Sequence, residues 1–241
     1  MHSHAALLKQ LKSLGLAPGQ LVMLHASLRK VGPVEGDADV LLDAILRVLG
    51  NDGTLLMVLG ADPTEPFVAS STPAELEMGI LAETFRTRPG VLVNDHAAAR
   101  FAAVGPLATE LIDDPPLHDY HGPGSVLQRF TNHHGQVLRL GADVDTVTLT
   151  HWAEYLADVP DKRRAKRHYV REDIGEQWIE GLDDDDGIKE WSEGDYFSQI
   201  LIDFIADCRA STGKIGDCTA ELFGAQTFVD FAVDWMERHL A

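Results

Sequence analysis

Cysteine is nearly absent: Cys208 and Cys218 are the only two in 241 residues, and they form no CxxC pair. That excludes a disulfide framework and a thiolate zinc site, and it suits a reducing compartment. No run of about 18 consecutive apolar residues occurs, so no membrane-spanning helix and no membrane partner are expected. The leading segment MHSHAALLKQLKSLG lacks the basic and apolar blocks of a secretory signal, which points to a cytoplasmic protein. Basic residues are scarce beside acidic ones, 20 Lys and Arg against 38 Asp and Glu, for a net charge of -18. A field of that sign repels nucleic acid and attracts cations.

What is present describes an ordinary globular chain. Hydrophobic residues make up 45% of it, no internal repeat or low-complexity linker interrupts it, and one domain over 1–241 is expected. Leu7, Leu8, Leu11 and Leu14 recur at helical spacing and stop at Gly15, which predicts a helix over 4–15. Residues 20–25 and 53–58 read as buried strands, with a helix over 37–49 between them. Continuous apolar strands alternating with amphipathic helices imply an α/β protein whose sheet is covered on both faces.

Further along, Thr72-Pro73-Ala74-Glu75 carries an N-cap, Pro and N3-Glu pattern, predicting a helix from there to Phe85. Strands are expected over 97–104, 136–142 and around 215–219, and helices over 107–112, from 145–147 to just before Pro160, 195–209 and 225–239. The His-rich stretch 113–121 reads as a loop suited to an active-site wall. Residues 162–171 are basic and fit an alternating strand whose charges face water. Glu172 to Asp195 holds eleven acids and one Lys, a local charge of -10 that reads as a solvated loop or as a collector of cations.

The residues that suggest chemistry follow the strand at 136–142. Thr148, His151 and Glu154 are spaced i, i+3, i+6, so a helix lines up a hydroxyl, an imidazole and a carboxylate along one stripe. In open α/β sheets such helix starts lie where ligands gather, at the carboxyl ends of strands. An imidazole titrates near neutral pH and is a ready general base. His118, His121, His133 and His134 with Asp113 and Asp114 invite a metal reading and thus a metal-dependent hydrolase, but their spacing lacks HExxH logic. Ser27 and Ser125 are hydroxyl nucleophiles in principle, yet neither sits in a G-x-S-x-G elbow.

Several blocks, in order, resemble one family. Gly141 through Glu154 is similar to the strand end and T-x-x-H-x-A-E helix of the aminoglycoside 3-N-acetyltransferases. His25-Ala26-Ser27-Leu28-Arg29-Lys30-Val31-Gly32 resembles their H-x-S-L-x-x-V-G segment. Glu83-Thr84-Phe85-Arg86 through Pro89-Gly90 to His96 and Ala102 to Pro106 looks like another block, as do Gly122 to Leu127 and Gly213-x-x-Gly216 with the terminal helix. Ala97 departs from the proline that commonly follows the histidine there.

The resemblance implies the antibiotic N-acetyltransferase fold, a central mixed sheet covered by helices on both faces, and not the GNAT fold. It implies direct transfer of an acetyl group from acetyl-CoA to the 3-amino group of a cationic aminoglycoside, without an acyl-enzyme, conferring resistance; another amine is the alternative acceptor. His151 is then the base, Glu154 its partner and Thr148 a candidate oxyanion donor. Acetyl-CoA is expected against His25, Ser27, Leu28, Arg29, Lys30, Val31, Gly32 and Ser125, and the basic run Lys162 to Arg167, if it does not simply face water, could reach its 3'-phosphate. The substrate is expected against Asp95, His96, Asp183 and Asp184, with the acidic region near 172–195 on the substrate side. The protein is expected to act as a monomer or homodimer.

Overall fold

A computed structural model describes residues 1–241. Three parallel strands form its centre: β1 (Leu21–Ala26) pairs with β2 (Thr54–Val58) on one side and β5 (Gln136–Leu140) on the other. Antiparallel strands extend both flanks. β4 (Phe101–Val104) pairs with β2, and β3 (Leu92–Val93) with β4; β9 (Cys218–Gly224) pairs with β5, and β8 (Ser211–Ile215) with β9. The order is β3-β4-β2-β1-β5-β9-β8, so the sheet is mixed, as the family resemblance implied.

Successive side chains of a strand point to opposite faces, and β1 shows it directly. Leu21 and Met23 belong to one core; Val22 and Leu24 belong to the other. One face is covered by α1 (His4–Leu14), α3 (Asp37–Leu49) and α4 (Gly79–Arg86) through Leu11, Leu42 and Phe85. The opposite face carries α5 (Ala108–Ile112), α6 (Val126–Asn132), α7 (Leu149–Leu156), α8 (Tyr196–Ala206) and α9 (Ala225–His239), through residues such as Phe130, Leu149 and Phe228. Two wet-free faces explain why these strands carry no polar alternation.

The chain leaves β1 through the four-residue helix α2 (Leu28–Val31) and returns on one side as β2, then on the other as β5. β1 and β5 are thus adjacent parallel strands whose connections diverge, the arrangement that opens a crevice at their carboxyl ends. Gly141 closes that end of β5 at φ +61, where a Cβ would stand 2.9 Å from the side chains of both Cys218 and Lys30. Beside the crevice lies a separate hairpin, β6 (Arg164–Arg171) with β7 (Gly175–Leu182).

Four expectations require correction. Thr72 to Glu75 is not helical: Arg100 is wholly buried and donates to the carbonyls of Ala69, Thr72 and Pro73, which holds that segment open. Helix begins only with a 3-10 turn at Leu76–Met78. Residues 97–100 are not strand, because Asn94 bonds both the Ala99 carbonyl and the Phe101 N–H and folds them into a loop. The strand expected near 215–219 straddles the β8–β9 turn at Gly216 and Asp217. The acidic stretch is not one loop, since its first part forms β7.

Candidate active site

Two connected chambers occupy the crevice. One, of about 310 Å³, is lined by Ala26, Ser27, Met57, Gly79, Ala142 and Asp143 among others. The other, of about 370 Å³, is lined by His121, Thr148, His151, Glu75, Asp184 and Asp185 among others. His25, Val58, Met78 and Thr146 border both. His25 ends β1, and Thr146 and Thr148 lie in the loop that carries β5 into α7, so the sheet itself sets the common wall.

That loop is tied down by one buried cation. Arg139 on β5 stands opposite His25 on β1 and Glu221 on β9 in the strand register. Its guanidinium donates to Glu221 at 3.0 Å and to the carbonyls of Ala142, Asp143 and Thr146. A buried charge needs such complete pairing. His25 faces the same guanidinium: burial first, and Arg139 second, push its pKa down to about 3. Its Nε2 is buried and has no partner in the protein.

α7 supplies the acid–base pair. His151 lines the larger chamber, and its Nδ1 lies 3.0 Å from Glu154 Oε2. Glu154 is 1% exposed, behind the histidine, and its other oxygen accepts from the Tyr196 hydroxyl, which in turn accepts from Ile188 N–H. Nδ1–H donated to a carboxylate leaves Nε2 as the proton acceptor. Burial opposes the imidazolium, but the bond and charge of Glu154, with Asp184, outweigh it and raise the His151 pKa above 6.5.

His121 stacks on His151 with ring centroids 5.1 Å apart and 11° between planes. Burial holds its pKa below the ordinary value, so of the three imidazoles here His151 is the one raised. Asp184 lies 3.6 Å from His121 Nε2 and accepts from the Tyr120 hydroxyl at 2.8 Å. Burial works to raise the Asp184 carboxyl, but its contacts with His121, His151 and Arg167 hold it well below the usual carboxylate range.

The expected residues divide. His25, Thr148, His151 and Asp184 line the larger chamber, Ser27 lines the smaller, and Glu154 backs His151. Ser27 also caps α2 by accepting from Lys30 N–H. Leu28 is half-buried, Arg29 is exposed, and Lys30 pairs with Asp143 at 2.5 Å. Gly32 turns at φ +89 against Asp217, away from both chambers. Asp183 closes a turn by accepting from the N–H groups of Asp185 and Asp186.

Four placements depart from expectation. Val31 is 0% exposed in the core under α1 and α3. Ser125 is also wholly buried and caps α6, accepting from Gln128 N–H, so it has no face for a cofactor. His96 is a buried structural residue: its Nδ1 accepts from Ala99 N–H at 2.8 Å, its Nε2 donates to Leu117 O, and burial lowers its pKa to about 4. Asp95 is exposed and pairs with Arg171 at 2.8 Å, outside the two chambers. The histidines read as a metal cluster disperse: His118 accepts from Glu180 N–H, His133 meets Glu110, and His121 joins the site.

Sequence reasoning passed over Glu75, Tyr120, Asp185 and Tyr196, and Arg167, a candidate for the 3'-phosphate of CoA or for a water-facing strand position, lines the larger chamber. The local pattern marks Glu75 only as a helix-start residue, and His121 directly precedes the Gly122 block that carries the resemblance.

Comparison with known proteins places the chain in one family. Residues 23–237 match the family model described as aminoglycoside 3-N-acetyltransferase. Aminoglycoside N(3)-acetyltransferase III of Pseudomonas aeruginosa is 35% identical, covering 98% of this chain and 94% of that protein. Aminoglycoside N(3)-acetyltransferase VII of Streptomyces paromomycinus is also 35% identical, covering 97% and 91%. Among solved structures, AAC-IIIb in binary complex with CoASH superimposes with a TM-score of 0.92 at 32% identity, covering 98% of this chain and 97% of that one. AAC-VIa bound to sisomicin gives 0.91 at 31% identity, covering 100% and 99%.

Proposed function

Because the chain belongs to the aminoglycoside 3-N-acetyltransferase family, we propose that it transfers the acetyl group of acetyl-CoA to the 3-amino group of an aminoglycoside and so confers resistance. The observation that carries this reading is the His151–Glu154 pair beside the wall shared by two chambers. A two-substrate transfer needs such a wall, with one reactant on each side and a base between them.

The smaller chamber fits the thioester arm. Its small residues Gly79 and Ala142 leave room, and the unpartnered His25 Nε2 sits where a polar group can satisfy it. Acetyl-CoA, when bound, supplies the activated acyl group. His151 Nε2 takes the proton of the attacking amine while Glu154 holds the ring and stabilises its charge. Thr148 supplies the donor for the oxygen on which negative charge builds: it precedes α7, yet its hydroxyl makes no capping bond and is free. The same imidazole then returns its proton to the departing sulfur.

Glu75, Asp184 and Asp185 give the larger chamber its acidic lining, and Glu75, which forms no ion pair, suits an ammonium group of the acceptor. Asp183 supports that lining by shaping its turn. One catalytic domain spans 1–241 in this reading. No helix is long and apolar enough to cross a membrane, and a cytoplasmic location accords with the two free cysteines and the need for acetyl-CoA.

Incubation with acetyl-CoA and a panel of aminoglycosides tests the proposal by thiol release and by locating the new amide on the product. Release of one thiol per acetylated 3-amino group is expected. Absence of thiol release across the panel, with hydrolysis sensitive to a chelator in its place, contradicts it.

A further inference from the structure

The acceptor chamber contains a cation of its own. Arg167 is the one Lys or Arg in its lining. On β6 the residues 165, 167, 169 and 171 turn inward, so the strand's charges do not all face water: Arg167 enters this chamber and Arg171 is buried outside it. Arg164 pairs with Asp119 and Glu180, Lys166 lies over the Trp178 ring, and Arg171 pairs with Asp95 and Asp173.

Arg167 is 17% exposed and held in one geometry. Its Nη2 contacts Asp184 and reaches Asp185 at 2.8 Å, while Nη1 donates to the Tyr120 hydroxyl at 2.9 Å. Tyr120 donates onward to Asp184, closing a triangle. A guanidinium keeps its charge at any working pH. Two of the three carboxylates lining the chamber therefore already face a cation; Glu75 forms no ion pair.

We propose that Arg167 is a specificity-determining residue: it fills the place of one acceptor ammonium against Asp184 and Asp185, so this enzyme favours acceptors that present a hydroxyl there. A second ammonium brought to the same pair of carboxylates meets a like charge that the fold does not let go, because Tyr120 anchors it from the side. An acceptor hydroxyl meets no such charge and can bond to either aspartate. The inference rests on the aminoglycoside reading of the chamber.

Calorimetry of acceptor binding without acetyl-CoA tests it, using two matched pairs that exchange one amine for one hydroxyl: neomycin with paromomycin, and kanamycin B with kanamycin A. The wild-type protein is expected to bind the hydroxyl member of at least one pair no more weakly than the amine member. Arg167→Met is expected to shift that pair by at least about tenfold toward the amine, because it removes a like-charge contact. Arg167→Lys, which keeps the charge, is expected to retain the wild-type order. If Arg167→Met does not fold, Arg167→Gln, which keeps a donor to Tyr120, replaces it. Equal weakening of both members of each pair would show that Arg167 merely supports the loop, and an unchanged preference in both pairs would likewise overturn the proposal. Thiol release in the same samples with acetyl-CoA reports separately on the transferase reading, so the two failures are distinguishable.

Discussion

Replacing Glu154 by Gln keeps the size of the side chain and removes its charge, which isolates what that charge does for His151. The contact is 3.0 Å long, and the acid is 1% exposed, so solvent screens the pair weakly. An opposite charge at this range moves a pKa by about 1–3 units, each unit being about 1.4 kcal/mol. In the native protein that contribution, with Asp184, overcomes burial and leaves His151 above 6.5. Without it burial acts with little opposition, and the histidine should fall below 6.5. Thiol release measured from pH 5 to pH 9 reads this shift as the acidic limb of kcat/KM moving to lower pH. On the plateau the rate should drop by at least about tenfold, because the base is weaker and its tautomer is no longer fixed; the full range for a lost general base is about 10²–10⁴. An acidic limb that stays in place in Glu154→Gln would refute the assignment of Glu154 as the group that sets the proton affinity of His151.

Ser125→Ala tests the reassignment of a residue expected at the cofactor. It should cost about 1 kcal/mol of stability through the lost α6 cap, read as a lower urea midpoint, with KM for acetyl-CoA unchanged. A raised KM with unchanged stability would restore the cofactor role. Acid should also destabilise the fold. Folded His25 and His96, with pKa values lowered to about 3 and about 4, refuse protons that the unfolded chain accepts below about 6.5. The contribution of these two histidines is therefore full above 6.5 and is lost as pH falls from there toward 4, by about 3 kcal/mol for each. Urea midpoints between pH 7 and pH 4 measure it, and His96→Gln should flatten part of the slope; a profile identical to wild type contradicts the buried neutral state of His96.

Much of this molecule could be read along the chain wherever one local period dominates. The helices over 4–15, 37–49 and 225–239 emerged within a residue or two, because apolar spacing and terminal glycines act locally. The stripe of Thr148, His151 and Glu154 was legible for the same reason, being set by one helix. What escaped was nonlocal. The helix signal at Thr72 to Glu75 was sound chemistry for a cap, but Arg100, far along the chain, takes the carbonyls a helix needs. Tyr196 reaches Glu154 from α8, and His121 reaches His151 from another loop, at spacings no periodicity encodes. His96 illustrates the converse: a histidine in a family-like block proved to be a backbone clasp for Ala99 and Leu117.

The role of His151 as proton acceptor is tested most directly by His151→Ala, assayed for thiol release with acetyl-CoA and an accepted aminoglycoside at pH 8. The rate should fall by about 10²–10⁴ while the protein stays folded and its affinity for acetyl-CoA stays at the wild-type value. Turnover in that variant within a few-fold of wild type would contradict the account.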